Sequence, residues 1–256
     1  MAVTEHRFRV MASDAHVIAV DAPAGALTDA QQMLEGIEQR WSRFLPDSDI
    51  SRINLADGRP VSVDPLTLTL VATMARAWQT TQGRYDPTIL PVLVADGYRY
   101  SIDQPSRMTI LPATTLHVGG LACAGTPPLP SGWPVTVEDP DDPDADLVTF
   151  TLSVGGVATS STQSRRWIRA GAVRHHVVDP AFGAMSDTDL AAVTVVARSG
   201  WLAEAHATAA ILAGHAGVLG YLEAHDVSGL AVTTAGVLLA TPDLTPAPSA
   251  RTLVTP

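Results

Sequence analysis

The chain has 256 residues and a formal net charge of −10, from 16 basic and 26 acidic residues; 46% of it is hydrophobic and its mean hydropathy is +0.17. That length supports one large domain or two small ones with a filled core, and the acidic balance argues against nucleic acid or an anionic membrane as the main partner. All sixteen basic residues are arginine, which excludes a Walker-type lysine, a Schiff-base lysine and a lysine base. Cys123 is the only cysteine, so an internal disulfide and a cysteine-rich zinc site are excluded too.

Met1 to Val10 lacks the apolar core of a signal peptide, and no apolar run reaches the roughly 18 residues that span a bilayer. The expectation is a cytoplasmic protein without a membrane span. His16 to Val20 reads as a strand. Apolar residues then recur at Leu27, Ala30, Met33, Leu34, Ile37, Trp41 and Phe44, a period that predicts a helix with one core-facing stripe. Asp47 to Asn54 reads as a turn rich in side-chain acceptors. A second helix is punctuated by Asp64 as cap, Pro65 in its first turn and Gly83 as its stop. The loop Gly83 to Ile89 follows, and Pro87 pushes Asp86 toward an extended backbone.

Residues 101 to 147 are the least regular. They hold Gly119-Gly120, the proline-rich stretch Thr126 to Pro134, and an acidic run, Glu138 to Asp146. The run reads as a solvated hairpin loop, since its prolines break any EF-hand spacing. Strands are expected at 147–154, 156–160, 166–169, 173–178 and 190–197. A helix follows over 201–213, another over 217–225, then strands near 229–233 and 237–240. This order lacks regular βαβα alternation, which predicts an α+β fold of mixed and antiparallel sheets with packed helices. The expected organisation is a single domain over 1–240 and a proline-rich tail over 241–256.

The segment Ser199 to Gly214 is the most informative. Glu204 and Thr208 are the strong oxygen donors of an otherwise small, apolar stretch. Four residues apart, they share one face of a helix, one turn from each other. A carboxylate above a hydroxyl can hold a hard cation such as Mg²⁺. A polar pair beside solvent is the alternative reading.

Several segments in fixed order resemble the ApbE family, the FAD:protein FMN transferases. Arg9-Val-Met11-Ala-Ser13 looks like its opening Met-Gly-Thr strand. Trp41-Ser-Arg-Phe44, running on to Ser48-Asp-Ile-Ser51-Arg-Ile-Asn54, looks like its S-x-Y/F and S-x-L/I-S-x-L/I-N signature. Thr81-Gln-Gly83-Arg84-Tyr85-Asp86-Pro87-Thr88 looks like T-x-G-A-F-D-P-T. His175-His176-Val-Val-Asp179-Pro180 looks like H-I-I-D-P, and Ala203-Glu204-Ala-His-Ala-Thr208-Ala is similar to A-D-A-L-A-T-A. The resemblance implies an ApbE-like flavin-transferase fold and a Mg²⁺-dependent transfer of FMN from FAD to a Ser/Thr hydroxyl of a target flavoprotein. It implies Glu204, Thr208 and a backbone carbonyl at Gly120 as metal ligands. It implies Met11, Phe44, Arg84, Tyr85, Asp86, His117 and Val177 at the FAD site. Asp179 is expected to order its own loop. From the residues alone, Phe44 and Tyr85 also read as core, and His175 and His176 as ordinary strand residues.

Three departures from the family pattern bear on its catalytic centre. The metal aspartate is Glu204. One segment, His117-Val118-Gly119-Gly120, stands where the family has two such Gly-Gly segments. The K-G-Y stretch has no counterpart, and no lysine exists to replace it. Two further readings therefore stand beside the transferase: an impaired paralogue that binds FAD or another nucleotide, and a non-flavin interaction protein in which a homodimer covers the surface left by the shortened segment.

Overall fold

The computed structural model describes residues 2–100, 121–123, 127, 129–140 and 142–244. His117, Gly119, Gly120 and the tail from 245 lie outside the described residues. The chain divides into two compact units, Met1–Met74 with Pro87–Leu116, and Ala75–Asp86 with His117–Pro256.

In the first unit, β1 (Val3–Val10) and β2 (Ser13–Val20) form an antiparallel hairpin in which Val10 pairs with Ser13. Its two turn residues, Met11 and Ala12, take φ of 55° and 60°. Helix α1 (Ala26–Trp41) stops before Phe44, because Ser42 turns to an extended backbone and its carbonyl accepts the Ser48 hydroxyl at 2.7 Å. The expected turn over 47–54 is instead helix α2 (Asp49–Leu55). The acceptors that suggested a turn are its caps: Ser48 Oγ accepts the Ser51 N–H at 3.0 Å. Asp49 then braces the next helix, accepting the Asp64 N–H at 3.0 Å and the Thr67 hydroxyl at 2.7 Å. That helix, α3 (Pro65–Thr80), starts on its proline as predicted, and its residues through Met74 belong to the first unit. Helix α4 (Leu90–Ala95) has no counterpart in the sequence reading.

The second unit holds the larger core. Strands β3 (Leu121–Cys123), β4 (Trp133–Asp139), β5 (Asp142–Leu152) and β6 (Gly155–Ser161) lead to β7 (Arg166–Arg169), β8 (Ala172–His175), β9 (Val178–Asp179), β10 (Ala184–Met185) and β11 (Leu190–Ala197). Helices α5 (Gly200–Ile211) and α6 (Gly214–Ala224) and strands β12 (Ser228–Thr233) and β13 (Leu238–Ala240) complete it. Five strands form one antiparallel sheet, in the order β13-β12-β11-β6-β3. Side chains alternate across it. Ala158, Val193, Val195 and Ala231 face α5 and α6, while Val157, Leu230 and Val232 pack on Val135, Val148 and Phe150 of the β4–β5 hairpin. The acidic run closes that hairpin with strand rather than loop, since Asp139 pairs with Asp142. The single strand expected over 173–178 is broken into β8 and β9 at residues 176 and 177. The architecture is α+β with antiparallel sheets and packed helices, as the residue pattern predicts.

Candidate functional site

Helix α5 is apolar nearly all round, and Ala203, Ala205, Ala207, Ala209 and Ala210 are buried along it. Small side chains let it lie close to the sheet. The closest approach is at Gly156, where a Cβ would stand 2.3 Å from the Gly200 nitrogen and 2.4 Å from its Cα. No other residue fits there, so Gly156 fixes the start of α5 against β6. Four residues further along that face of β6, the Ser160 hydroxyl lies 3.2 Å from that of Thr208.

Only a narrow strip of α5 stays partly open, and Trp201, Glu204 and Thr208 lie on it at helical spacing. The Glu204 carboxylate makes no hydrogen bond or ion pair among the described residues. Burial pushes its pKa up to about 7, and the Arg165 guanidinium only partly offsets this. A carboxylate held in a poorly solvated place without a donor is a demanding arrangement for the free protein. Among the described residues no three His, Cys, Asp or Glu side chains converge on one point. The donor set here is one carboxylate and two hydroxyls, all oxygen, which suits a hard cation completed by other oxygens and unsuits a transition metal.

The loop after α3 brings Tyr85 to this place. Thr81, almost fully buried, donates its hydroxyl to the Ala77 carbonyl at 2.8 Å and accepts the Tyr85 N–H at 3.0 Å. Gly83, with φ of 82°, returns its N–H to the Trp78 carbonyl at 2.8 Å, which ends the helix as the sequence predicts. Tyr85 is buried with Ala77, Ala205 and Trp201. Burial first, then the charges of Glu204 and Asp86, raise its phenol above the ordinary value, so it stays a protonated donor. Arg84 is exposed, its guanidinium 5.4 Å from the Tyr221 ring centre.

The segment after β8 supplies another wall. Val177 is buried, and its carbonyl accepts the Ser186 N–H at 3.0 Å. Asp179 accepts the Ala181 N–H at 2.9 Å and so closes its own turn. Burial first, then Arg165 and His175, push His176 down to about 4, while a hydrogen bond with the Ser164 backbone works against them. His176 is therefore a neutral imidazole. Arg165 acts electrostatically on both Glu204 and His176.

The second unit thus gathers Tyr85, Glu204 and Thr208 from the sequence-derived set and places Asp86 within electrostatic reach of Tyr85. Met11 and Phe44 belong to the first unit, where Met11 sits in the β1–β2 turn and the Arg43 guanidinium lies 4.4 Å from the Phe44 ring centre. His117 and Gly120 lie outside the described residues. Sequence reasoning missed Ser160, Arg165 and His176 as neighbours. The adjacency of β6 to α5, which brings Ser160 to Thr208, carries no local sequence signal.

The family model for the ApbE family matches residues 8–119 and 113–232. These segments span most of the chain, which therefore belongs to the ApbE family. They overlap at 113–119, which reaches into the Gly119-Gly120 segment that could align with either family segment. Solved structures agree on the fold. An ApbE protein from Thermotoga maritima MSB8 is 18% identical with a TM-score of 0.77, covering 94% of this chain and 97% of that one. The apo flavinyl transferase ApbE of Pseudomonas stutzeri is 21% identical with a TM-score of 0.70, covering 94% and 95%. The flavin transferase ApbE from Vibrio cholerae is 19% identical with a TM-score of 0.70, covering 94% and 97%. No curated protein sequence matches the chain. Among the described residues no helix is long and apolar enough to cross a membrane.

Proposed function

We infer that this chain is a flavin transferase that moves FMN from FAD to a Ser or Thr hydroxyl of a target flavoprotein. The observation that carries the reading is the Glu204 carboxylate: poorly solvated, without a donor, and set one helical turn from the Thr208 hydroxyl on a helix that Gly156 locks to the sheet. Family membership supports the reaction class. Glu204 and Thr208, with the Gly120 carbonyl carried over by resemblance, would hold Mg²⁺, which when bound supplies positive charge to the pyrophosphate oxygens.

Arg84, Tyr85, Asp86 and Val177 are assigned to the flavin nucleotide; Met11, Phe44 and His117 carry the same assignment by resemblance alone. The Tyr85 phenol stays protonated and can donate to a phosphate or a ring acceptor. In the reaction the acceptor oxygen bonds to the phosphorus on the FMN side, the bond to AMP breaks, and the hydroxyl proton leaves to a base. His176, neutral at physiological pH, is the imidazole at hand to take that proton. Arg165 adds a fixed positive charge where phosphate charge is handled.

Incubation of the protein with FAD, Mg²⁺ and a threonine-bearing flavoprotein, with chromatography of the nucleotides, tests the reading. AMP release with covalent FMN on the acceptor is expected, and both should be lost in Glu204→Ala. The absence of lysine and of the K-G-Y segment favours a second reading, an FAD-binding paralogue, for which FAD is bound and recovered intact. Normal transfer by Glu204→Ala would remove the metal assignment.

A further inference from the structure

Strands β7 and β8 pair only with each other among the described strands. On one face of this hairpin Ile168 stands opposite Val173, and the two are 78% and 51% exposed. The turn between β9 and β10 adds Phe182, 82% exposed, and is tied to β8 by the His175 N–H, which lies 3.2 Å from Met185 Sδ. Large apolar side chains exposed together on neighbouring elements form the kind of patch that marks an interaction site. The charge around them is unlike the rest of the molecule. Residues 147 to 178 contain no acidic residue, while the hairpin and the residue before it carry Arg165, Arg166, Arg169 and Arg174, in a chain whose net charge is −10. Arg166 is exposed and bonds to the neutral Gln163 amide at 2.7 Å. Arg166 stands two residues before Ile168 on the same face of the strand, so an apolar centre with an exposed arginine at its edge results, which is the composition of a protein interface.

We propose that the β7–β8 hairpin with the Phe182 turn is the docking surface for the protein that receives the flavin, and that it takes an acidic segment carrying apolar residues. The proposal rests on the transferase reading above. Directly after the hairpin the chain enters His176 and Val177, so a partner seated there is held within a few residues of the site that would act on its hydroxyl. Charge complementarity selects the partner: an Asp/Glu-rich segment is attracted to this surface and a Lys/Arg-rich one repelled.

Two labelled peptides test it on the full chain by fluorescence anisotropy. One has Asp and Glu around Leu, Phe and a single Thr; the other has Lys at every acidic position. The acidic peptide should bind, lose affinity between about 50 mM and about 300 mM NaCl, and bind at least about tenfold more weakly to R166E/I168D. Both substituted residues are exposed, so the variant should unfold at the wild-type temperature and bind FAD with wild-type affinity. Equal binding of the two peptides would overturn the proposal, as would unchanged binding by the variant. It is likewise overturned if the surface instead serves anionic phosphatidylserine vesicles, an RNA oligonucleotide or a second copy in sedimentation, with the interaction lost in R166E/I168D. Failure of the transferase reading looks different: acidic-peptide binding that depends on Arg166, with no AMP formed by the wild-type chain.

Discussion

Glu204→Gln should make the metal-free protein more stable at pH 8. The neutral amide keeps the size of the side chain and removes a charge that the fold solvates poorly. A rise of the Glu204 pKa from 4.5 to about 7 corresponds to about 3 kcal/mol of unfavourable free energy once the group is ionised. The sign follows from proton counting. Between pH 4.5 and 7 the folded chain retains a proton at Glu204 that the unfolded chain releases. Stability therefore falls as pH rises through that window, and the loss is complete above it. At about 2–4 °C per kcal/mol for a chain of this size, the variant should unfold roughly 6–12 °C higher than wild type at pH 8 in EDTA. The difference should vanish at pH 4.5, where both side chains are neutral.

A cation must reverse this order. Ion binding to the folded state alone stabilises by about 2.7 kcal/mol at a hundredfold excess over Kd. Millimolar Mg²⁺ should therefore raise the unfolding temperature of wild type and leave Glu204→Gln unmoved. Thermal unfolding by circular dichroism, across pH and with EDTA or Mg²⁺, reads both effects. A variant that is less stable than wild type at pH 8 in EDTA would refute the account, because it would mean the carboxylate is already satisfied inside the protein.

Gly156→Ala should displace the start of α5, since its Cβ would fall 2.3 Å from the Gly200 nitrogen; a loss above about 3 kcal/mol, read as a drop in unfolding temperature, should come with loss of Mg²⁺ stabilisation. Thr81→Val keeps the shape but leaves the buried Tyr85 N–H without its acceptor, at about 1–3 kcal/mol by denaturant titration, and should weaken FAD binding in the same protein.

The fold was legible where local chemistry decides it. The Asp64-Pro65 start and Gly83 stop of α3, the short continuous apolar runs of β11 and β12, and the Asp179 turn are all set by residues within a few positions of each other. The turn assigned to 47–54 failed because Ser48 and Asp49 serve turns and helix caps equally well. What tips them to a helix is Asp49 reaching Asp64 and Thr67, fifteen or more residues away. The site was legible along α5, where spacing of four places Glu204 over Thr208, but not across the sheet. Ser160 meets Thr208 only because β6 lies under α5, and Arg165 acts on Glu204 from a segment far removed in sequence.

Two departures from the family pattern, in motifs more than a hundred residues apart, meet at one side chain. Arg84 stands where the pattern has Ala, and His206 where it has Leu. Arg84 lies over the Tyr221 ring, and His206 Nδ1 shares a 2.9 Å hydrogen bond with the Tyr221 hydroxyl. His225 stacks on that ring, its centre 4.2 Å away, and donates Nδ1–H to the Tyr221 carbonyl at 2.8 Å. His206 is 1% exposed and lies on the side of α5 turned away from Glu204, so the polar replacement is tolerable only with its partner. Restoring the pattern alone should therefore be harmful. His206→Leu leaves the Tyr221 hydroxyl buried and unbonded and should cost about 1–3 kcal/mol; Tyr221→Phe should cost as much by stranding the imidazole. The double variant removes both groups and should recover most of the loss, giving a coupling of about 1–2 kcal/mol in a double-mutant cycle. Additive losses would mean that the two residues sit together without depending on each other. Coupled ones would mean that the face of α5 turned away from Glu204 is organised as a unit around Tyr221.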